Sequence, residues 1–190
     1  MRDMQRKALR KEKIQARESL DKKERNTRSQ QIAERIIASK EFQNAKNIMI
    51  YRGIGGEVRL EWLEQAKESE GKQFLFPLCL PERQMAALAP RGEEGWQRGS
   101  YGIMEPVMEK SDLVNPEDID LIICPCTAFD EACNRMGMGG GYYDRYLPKC
   151  TKAVVAAAAF EIQKAETIPM EPWDRAVAFV FTEKKTYYKK

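Results

Sequence analysis

Residues 48–76 read IMIYRGIGGEVRLEWLEQAKESEGKQFLF, and this stretch decides the fold. Ile48-Met49-Ile50-Tyr51 is an apolar run without alternation, which predicts a strand buried on both faces. Gly53-Ile54-Gly55-Gly56 ends it. Leu60, Leu63 and Ala66 then recur at helical spacing, so a helix is predicted from about Leu60 to Ser69, stopped at Gly71. Phe74-Leu75-Phe76 is a second short strand, closed by Pro77. Strand, helix, strand is the unit from which parallel sheets are built.

The same grammar continues on both sides. Leu121-Ile122-Ile123-Cys124 is a third buried strand, ended by Pro125, and Ala153–Phe160 and Ala176–Phe181 are two more. Residues 78–118 are rich in turn signals, with a hairpin predicted around Met85–Leu88. Glycines at 137–141 lead into a short helix from Tyr142 to Leu147. At the other end, Arg2–Leu20 forms a solvated helix with a thin apolar stripe of Met4, Ala8, Leu9, Ile14 and Leu20. A second helix follows a capping box at Thr27 and Gln30 and turns Ile32, Ala33, Ile36 and Ile37 inward. The class is α/β, with a mainly parallel or mixed sheet covered on both faces. In open sheets of this kind ligands bind at the carboxyl ends of strands, which singles out the glycine turns after 48–51 and 121–124.

Composition restricts the chemistry. The chain of 190 residues has no histidine, which excludes a Ser-His-Asp or Cys-His machine, a His-ligated zinc and a histidine pH switch. Residues 1–25 hold ten basic and five acidic side chains, net +5; the other 165 hold 22 and 24, net −2. Such concentration places an anion near the arm: phosphate, nucleic acid or membrane surface. The five cysteines, without a secretory apolar segment, fit a reduced cytoplasmic protein. Cys124, Cys126 and Cys133 offer three thiolates for zinc, but there is no second CxxC pair, and they are read as core thiols.

The strongest local signal is Arg135-Met136-Gly137-Met138-Gly139-Gly140-Gly141-Tyr142-Tyr143-Asp144. Four glycines remove Cβ atoms so that backbone amides can close around an anion, and Arg135 adds a bidentate cation. Asp144 offers hard oxygens for Mg²⁺ beside phosphates. The alternative is a flexible surface turn. Neither a Walker A loop nor a complete GxGxxG fingerprint is present. Glu57 could accept two hydrogen bonds from an amino-pyrimidine edge, or be an ordinary solvated glutamate. Asp174 is a second metal carboxylate or a turn residue. Arg6, Lys7, Arg10 and Lys11 cluster on one helical stripe, to reach phosphates or simply to solvate the arm.

With Arg135–Asp144 the sequence resembles the 5-formyltetrahydrofolate cyclo-ligase (5,10-methenyltetrahydrofolate synthetase) family, whose mark is an apolar strand, Pro, Phe-Asp, then R-x-G-x-G-x-G-Y-Y-D and a helix. Here these are Leu121–Cys124, Pro125, Phe129-Asp130 and Arg135–Asp144. The similarity runs over nearly the whole chain, including Glu57-Val58, Gly71-Lys72, Phe76-Pro77, Trp96, Glu105-Pro106 and Asp174. It implies one domain over 1–190, a three-layer α/β/α sandwich with residues 1–25 as a basic helix near the site. It also implies Mg²⁺- and ATP-dependent closure of 5-formyltetrahydrofolate to 5,10-methenyltetrahydrofolate, with ADP and phosphate released.

Carried over by position, Arg6, Lys7, Ala8, Leu9 and Arg10 contact ATP, as do Arg135, Met136, Gly137, Met138, Gly139, Gly140, Gly141, Tyr142 and Tyr143. Arg135, Arg10 and Lys7 are the catalytic cations, and Arg10, Arg52 and Glu57 meet the folate. Asp144 and Asp174 hold Mg²⁺. Arg6 stands where the family usually has Lys, and Lys7 follows it. The expected partners are the folate and ATP, with no nucleic acid and no membrane, and the chain is taken as a cytoplasmic monomer. A binding-only relative and a nucleic-acid protein using the arm are the competing readings.

Overall fold

The computed structural model describes residues 2–99 and 102–189. Helices α1 (Arg2–Glu18), α2 (Lys22–Ile37) and α3 (Lys40–Asn44) precede β1 (Asn47–Met49), α4 (Glu61–Gln65) and β2 (Gln73–Leu80). Then come β3 (Gln84–Pro90), β4 (Trp96–Arg98), β5 (Met104–Pro106), β6 (Ser111–Val114) and β7 (Leu121–Pro125). The chain finishes with β8 (Ala128–Phe129), β9 (Arg135–Met136), α5 (Tyr142–Tyr146), β10 (Val154–Ala158), β11 (Phe179–Phe181) and β12 (Thr186–Tyr188).

Eight strands make one mixed sheet in the order β12-β11-β10-β7-β1-β2-β3-β6. The five central strands, β11 through β2, are parallel; β12 and β3 flank them antiparallel, and β6 pairs antiparallel with β3 at the outer edge. The unalternating apolar runs are explained by two cores. Ile48, Ile50, Leu121, Ile123, Ala156 and Ala158 face Ile32 and Ile36 of α2, Phe42 of α3 and Leu63 of α4. Met49, Ile122 and Cys124, pointing the other way, meet Tyr146, Leu147 and Cys150 at and after α5. Period-2 side-chain alternation therefore feeds two apolar layers.

Several sequence expectations are corrected. The 1–25 arm is not one helix: α1 ends at Glu18 and α2 begins at Lys22. The N-cap of α2 is Asp21, whose side chain accepts from the Glu24 amide, so the predicted Thr27–Gln30 box lies inside the helix. Pro77 does not close its strand. β1 pairs only with Gln73–Leu75, so beyond it that edge of β2 makes no demand on the missing proline N–H. The hairpin predicted at Met85–Leu88 turns instead at Pro81–Arg83, and Met85–Leu88 lie in its second strand. The helix predicted to Ser69 is α4 followed by a 3₁₀ turn, Lys67–Ser69.

One carboxylate fastens the amino ends of the parallel strands. Asp120 accepts from the Lys46 and Asn47 amides at 2.9 Å each and pairs with Lys152 at 2.7 Å. Burial opposes its ionisation, but the Asn47 and Lys46 amides and the Lys152 ammonium outweigh it, holding the carboxyl at about 2. A folded-state value below the ordinary ~3.9 means the contribution is full above about pH 4 and lost as pH falls towards 2. The stability gap between the protein and Asp120→Asn, from urea unfolding, is therefore expected to be constant near neutrality. It should close between about pH 4 and pH 2, and a gap unchanged at pH 2.5 would contradict this role.

Candidate active site

Two loops at the carboxyl ends of β1 and β7 form the site, and α1 lies across them. The glycine loop comes first. Gly139 and Gly141 have φ of +101° and +70°, a region that favours glycine. The positive φ is what calls for glycine at 139, since a Cβ there would meet the Arg10 guanidinium carbon at an ordinary contact distance of 3.5 Å. Arg10 Nε donates to the Gly137 carbonyl at 3.0 Å, fastening α1 to the loop.

Arg135 is nearly fully buried, with its side chain 3% exposed. Its guanidinium donates to Asp144 Oδ1 at 3.0 Å and to the Pro125 carbonyl at 3.3 Å. It also sits 5.6 Å from the Tyr143 ring centre. Among the described residues its Nε has no partner, and neither does the buried Tyr143 hydroxyl. Unpaired buried polar groups are costly and need an explanation, and a ligand bound nearby would supply one. Tyr142 and Tyr143 pack against the core that contains α5, while Met138 is exposed and its sulfur accepts from Thr127. Met136 is buried in β9, opposite Ala128.

On α1, Arg6 reaches inward and Lys7 does not. Arg6 Nη1 binds Asp174 Oδ2 and the Pro169 carbonyl, both at 2.5 Å. Lys7 pairs with Asp3 on the solvent side, 2.9 Å away. Ala8 is exposed, and Leu9 packs against Ala128, Met136 and Ile168, which anchors α1 to the body. So the structure brings Arg6, Arg10, Arg135, Asp144 and Asp174 to one region and leaves Lys7 outside.

Asp144 fits a divalent cation: its side chain is 25% exposed beside the glycine loop. Asp174 is more committed. Its side chain is 4% exposed, and Oδ2 takes both the Arg6 bond and the Glu171 amide at 2.9 Å. It can reach a metal only once Arg6 lets go. Among the described residues no cluster of three or more His, Cys, Asp or Glu exists. A cation here would be held by one or two carboxylates, with phosphate oxygens completing its shell, as suits Mg²⁺. Cys124 and Cys126 lie in different cores, and burial pushes both thiols up to about 12, which leaves them protonated as core thiols.

The second loop carries Glu57, and it is not solvated. Its side chain is 7% exposed, with Oε1 3.5 Å from Arg17 Nη1 and Oε2 accepting from the Ile54 amide at 3.0 Å. Burial pushes its carboxyl up, while the Ile54 amide and Arg17 pull it back. A Cβ on Gly56 would come within 3.3 Å of the Arg17 and Glu18 side chains, so this glycine lets α1 close on the loop. Arg52 is engaged elsewhere. It pairs with Glu64 and lies 4.3 Å and 4.8 Å from the Phe76 and Trp96 ring centres. Phe76 and Trp96 line a cavity of about 410 Å³ with Glu64, Phe74 and Pro90.

Two residues here escaped sequence reasoning, Arg17 and Tyr51, whose buried hydroxyl has no partner. Arg17 falls seven residues after Arg10, two helical turns on the same stripe, and that spacing was the available signal.

Fold and site together define an open α/β protein with a glycine loop framed by buried cations and a buried carboxylate on a second loop, both at the carboxyl ends of parallel strands, where ligands bind in sheets of this class. The family model described as the 5-formyltetrahydrofolate cyclo-ligase family matches residues 2–183. The chain belongs to that family. It is 27% identical to the 5-formyltetrahydrofolate cyclo-ligase of Haemophilus influenzae, over 92% of this chain and 95% of that one. Against the mouse protein of the same name identity is 30%, with 92% of each chain covered. The NMR structure of Aquifex aeolicus 5,10-methenyltetrahydrofolate synthetase superposes with a TM-score of 0.85 at 31% identity, covering 97% of this chain and 93% of that one.

Proposed function

We propose that this protein closes 5-formyltetrahydrofolate to 5,10-methenyltetrahydrofolate at the expense of ATP, as a single domain over 1–190. The observation that carries the reading is the gathering of Arg10 and Arg135 at a glycine loop with Asp144 partly exposed beside it, and the Arg6–Asp174 pair close to Arg10. Three cations stand against two carboxylates, an excess of positive charge suited to a polyphosphate. Asp144 would hold Mg²⁺, with Asp174 joining once Arg6 turns to the phosphates; the ion supplies neutralisation of phosphate charge.

The formyl oxygen attacks the γ-phosphoryl group, an O–P bond forms and ADP leaves. N10 then bonds to the activated carbon, its proton is lost, and the C–O bond breaks to release phosphate. The Arg135 fork neutralises charge on the transferred group, and Arg10 holds the loop against it. No protein nucleophile or imidazole is required, because phosphorylation itself turns the formyl oxygen into a leaving group. Catalysis is positioning plus charge neutralisation.

The inward course of Arg6, Arg10 and Arg17 turns three of the arm's ten basic side chains to the body of the protein, which supports ATP rather than nucleic acid as its partner. Among the described residues no helix is long and apolar enough to cross a membrane, and we take the protein to act as a cytoplasmic monomer. Calorimetry tests the assignment. Mg·ATP and 5-formyltetrahydrofolate should each bind, and Glu57→Gln should weaken the folate by about 2 kcal/mol, some thirtyfold, with Mg·ATP within threefold. Unchanged folate affinity would remove Glu57 from that role.

A further inference from the structure

Arg17 is a cation buried without its full set of partners. Its side chain is 3% exposed, and neither Nε nor Nη1 makes a hydrogen bond. Glu57 lies 3.5 Å from Nη1, close enough for attraction but without hydrogen-bond geometry. A buried charge kept in this state is expensive and calls for a use. Geometry supplies one. Arg6, Arg10 and Arg17 fall within about 40° of one another around α1, and Arg17 stands roughly 10 Å along the axis from Arg10. One rigid helix thus carries Arg6 to Asp174, Arg10 to the glycine loop and Arg17 to the Glu57 loop, where Gly56 admits it.

From these contacts we infer that Arg17 is a positioning residue for the folate side of the site, holding Glu57 as a fixed, charged carboxylate for the amidine edge of the pterin. The inference rests on the folate reading of Glu57 given above. It also gives α1 a double duty, since docking this helix assembles the phosphate cations and the pterin carboxylate in one event.

The groups facing Glu57 leave Arg17 to do this. Tyr51 and Tyr143 are pushed well up by burial, and the Cys126 thiol to about 12, so all three are neutral. Glu18 borders the outer side of the turn at Gly55, and its charge is of the wrong sign to help. With Arg17 removed, burial acts on Glu57 with only the Ile54 amide opposing it. The carboxyl would then gain a proton at higher pH, and a protonated acid turns one oxygen into an O–H donor, so its two oxygens can no longer both accept from the paired donors of the pterin edge.

The test is folate affinity by calorimetry on the full chain without nucleotide, from pH 5.5 to 8.5, with folding checked by circular dichroism. Arg17→Gln should weaken 5-formyltetrahydrofolate about tenfold or more at pH 7 and move the acid limit of binding up by about one pH unit or more. Arg17→Lys, which keeps the charge, should stay within about threefold of the parent. In the Glu57→Gln background Arg17→Gln should add nothing. Equal losses in both backgrounds would show a purely structural role and overturn the inference, as would an unmoved acid limit. Should Arg17→Gln fail to fold, Arg17→Lys decides: retained affinity supports the inference, and a tenfold loss with an unmoved acid limit overturns it. If the unaltered protein binds no 5-formyltetrahydrofolate, the folate reading itself falls; if it binds and Arg17→Gln matches it, only this inference does.

Discussion

Arg135→Met is expected to lower turnover by about 10³-fold while leaving folate affinity within a few-fold. The side chain fills three roles at once. It clamps Asp144, donates to the Pro125 carbonyl at the end of β7, and brings Nη1 against Gly137 of the glycine loop. Methionine preserves much of the volume but none of these donors. The loss should fall on kcat and on Mg·ATP binding together, because in the proposed mechanism the fork would act on the phosphate both before and during transfer. Arg135→Lys restores a charge without the planar fork and should recover only part of the rate. Steady-state kinetics with each substrate varied in turn checks this. A Lys variant as active as the parent would reduce the role of Arg135 to charge alone.

The second large effect is at Asp144. Asp144→Asn is nearly isosteric and keeps an acceptor for Arg135, so the loop should persist. What goes is the negative charge needed for a divalent cation. Turnover at fixed Mg²⁺ should fall by about 10²-fold or more, with the Mg²⁺ requirement shifted to higher concentration and folate affinity retained. Calorimetric titration of Mg·ATP and of folate, run in parallel, separates the two. Equal weakening of both ligands would contradict the metal assignment and make Asp144 a support for the loop. Asp174→Asn is the informative contrast: Asp174 is buried against Arg6 and caps the Glu171 amide, so its loss should also lower thermal stability.

The fold was legible where hydrophobic runs are long and end on glycine or proline. Ile48–Tyr51, Leu121–Cys124 and Ala153–Phe160 all predicted strands at the sheet centre, and the alternation of Ile48 and Met49 between two cores explains why those runs have no polar face. Edge elements were harder to see. β12 is three residues beside a run of lysines and carries no apolar run, while Pro77 hides the length of β2 because sequence does not reveal which edge is unpaired. The start of α2 was missed because Asp21 is followed by ten polar residues, so no apolar side chain before Ile32 marks a helical face in its first turns.

In the site, the glycine loop and its framing Arg135 and Asp144 were readable because the demand for small residues near an anion is local. Arg17 was not. A charge run on a helix is usually solvated, and only the placement of the 53–56 turn shows which of ten basic side chains is buried. Arg6 and Lys7 differ for the same reason. Adjacent residues on a helix point about 100° apart, so one meets Asp174 and the other water.

The central claim is that ring closure is driven by phosphoryl transfer on a site without histidine. The most direct measurement follows the methenyl chromophore and ADP together as the protein meets 5-formyltetrahydrofolate and Mg·ATP. The account predicts that the two rise in step, one ADP for each ring closed, and that neither appears when the folate is withheld. Chromophore formed without ADP, or ADP formed at full rate without folate, would contradict it.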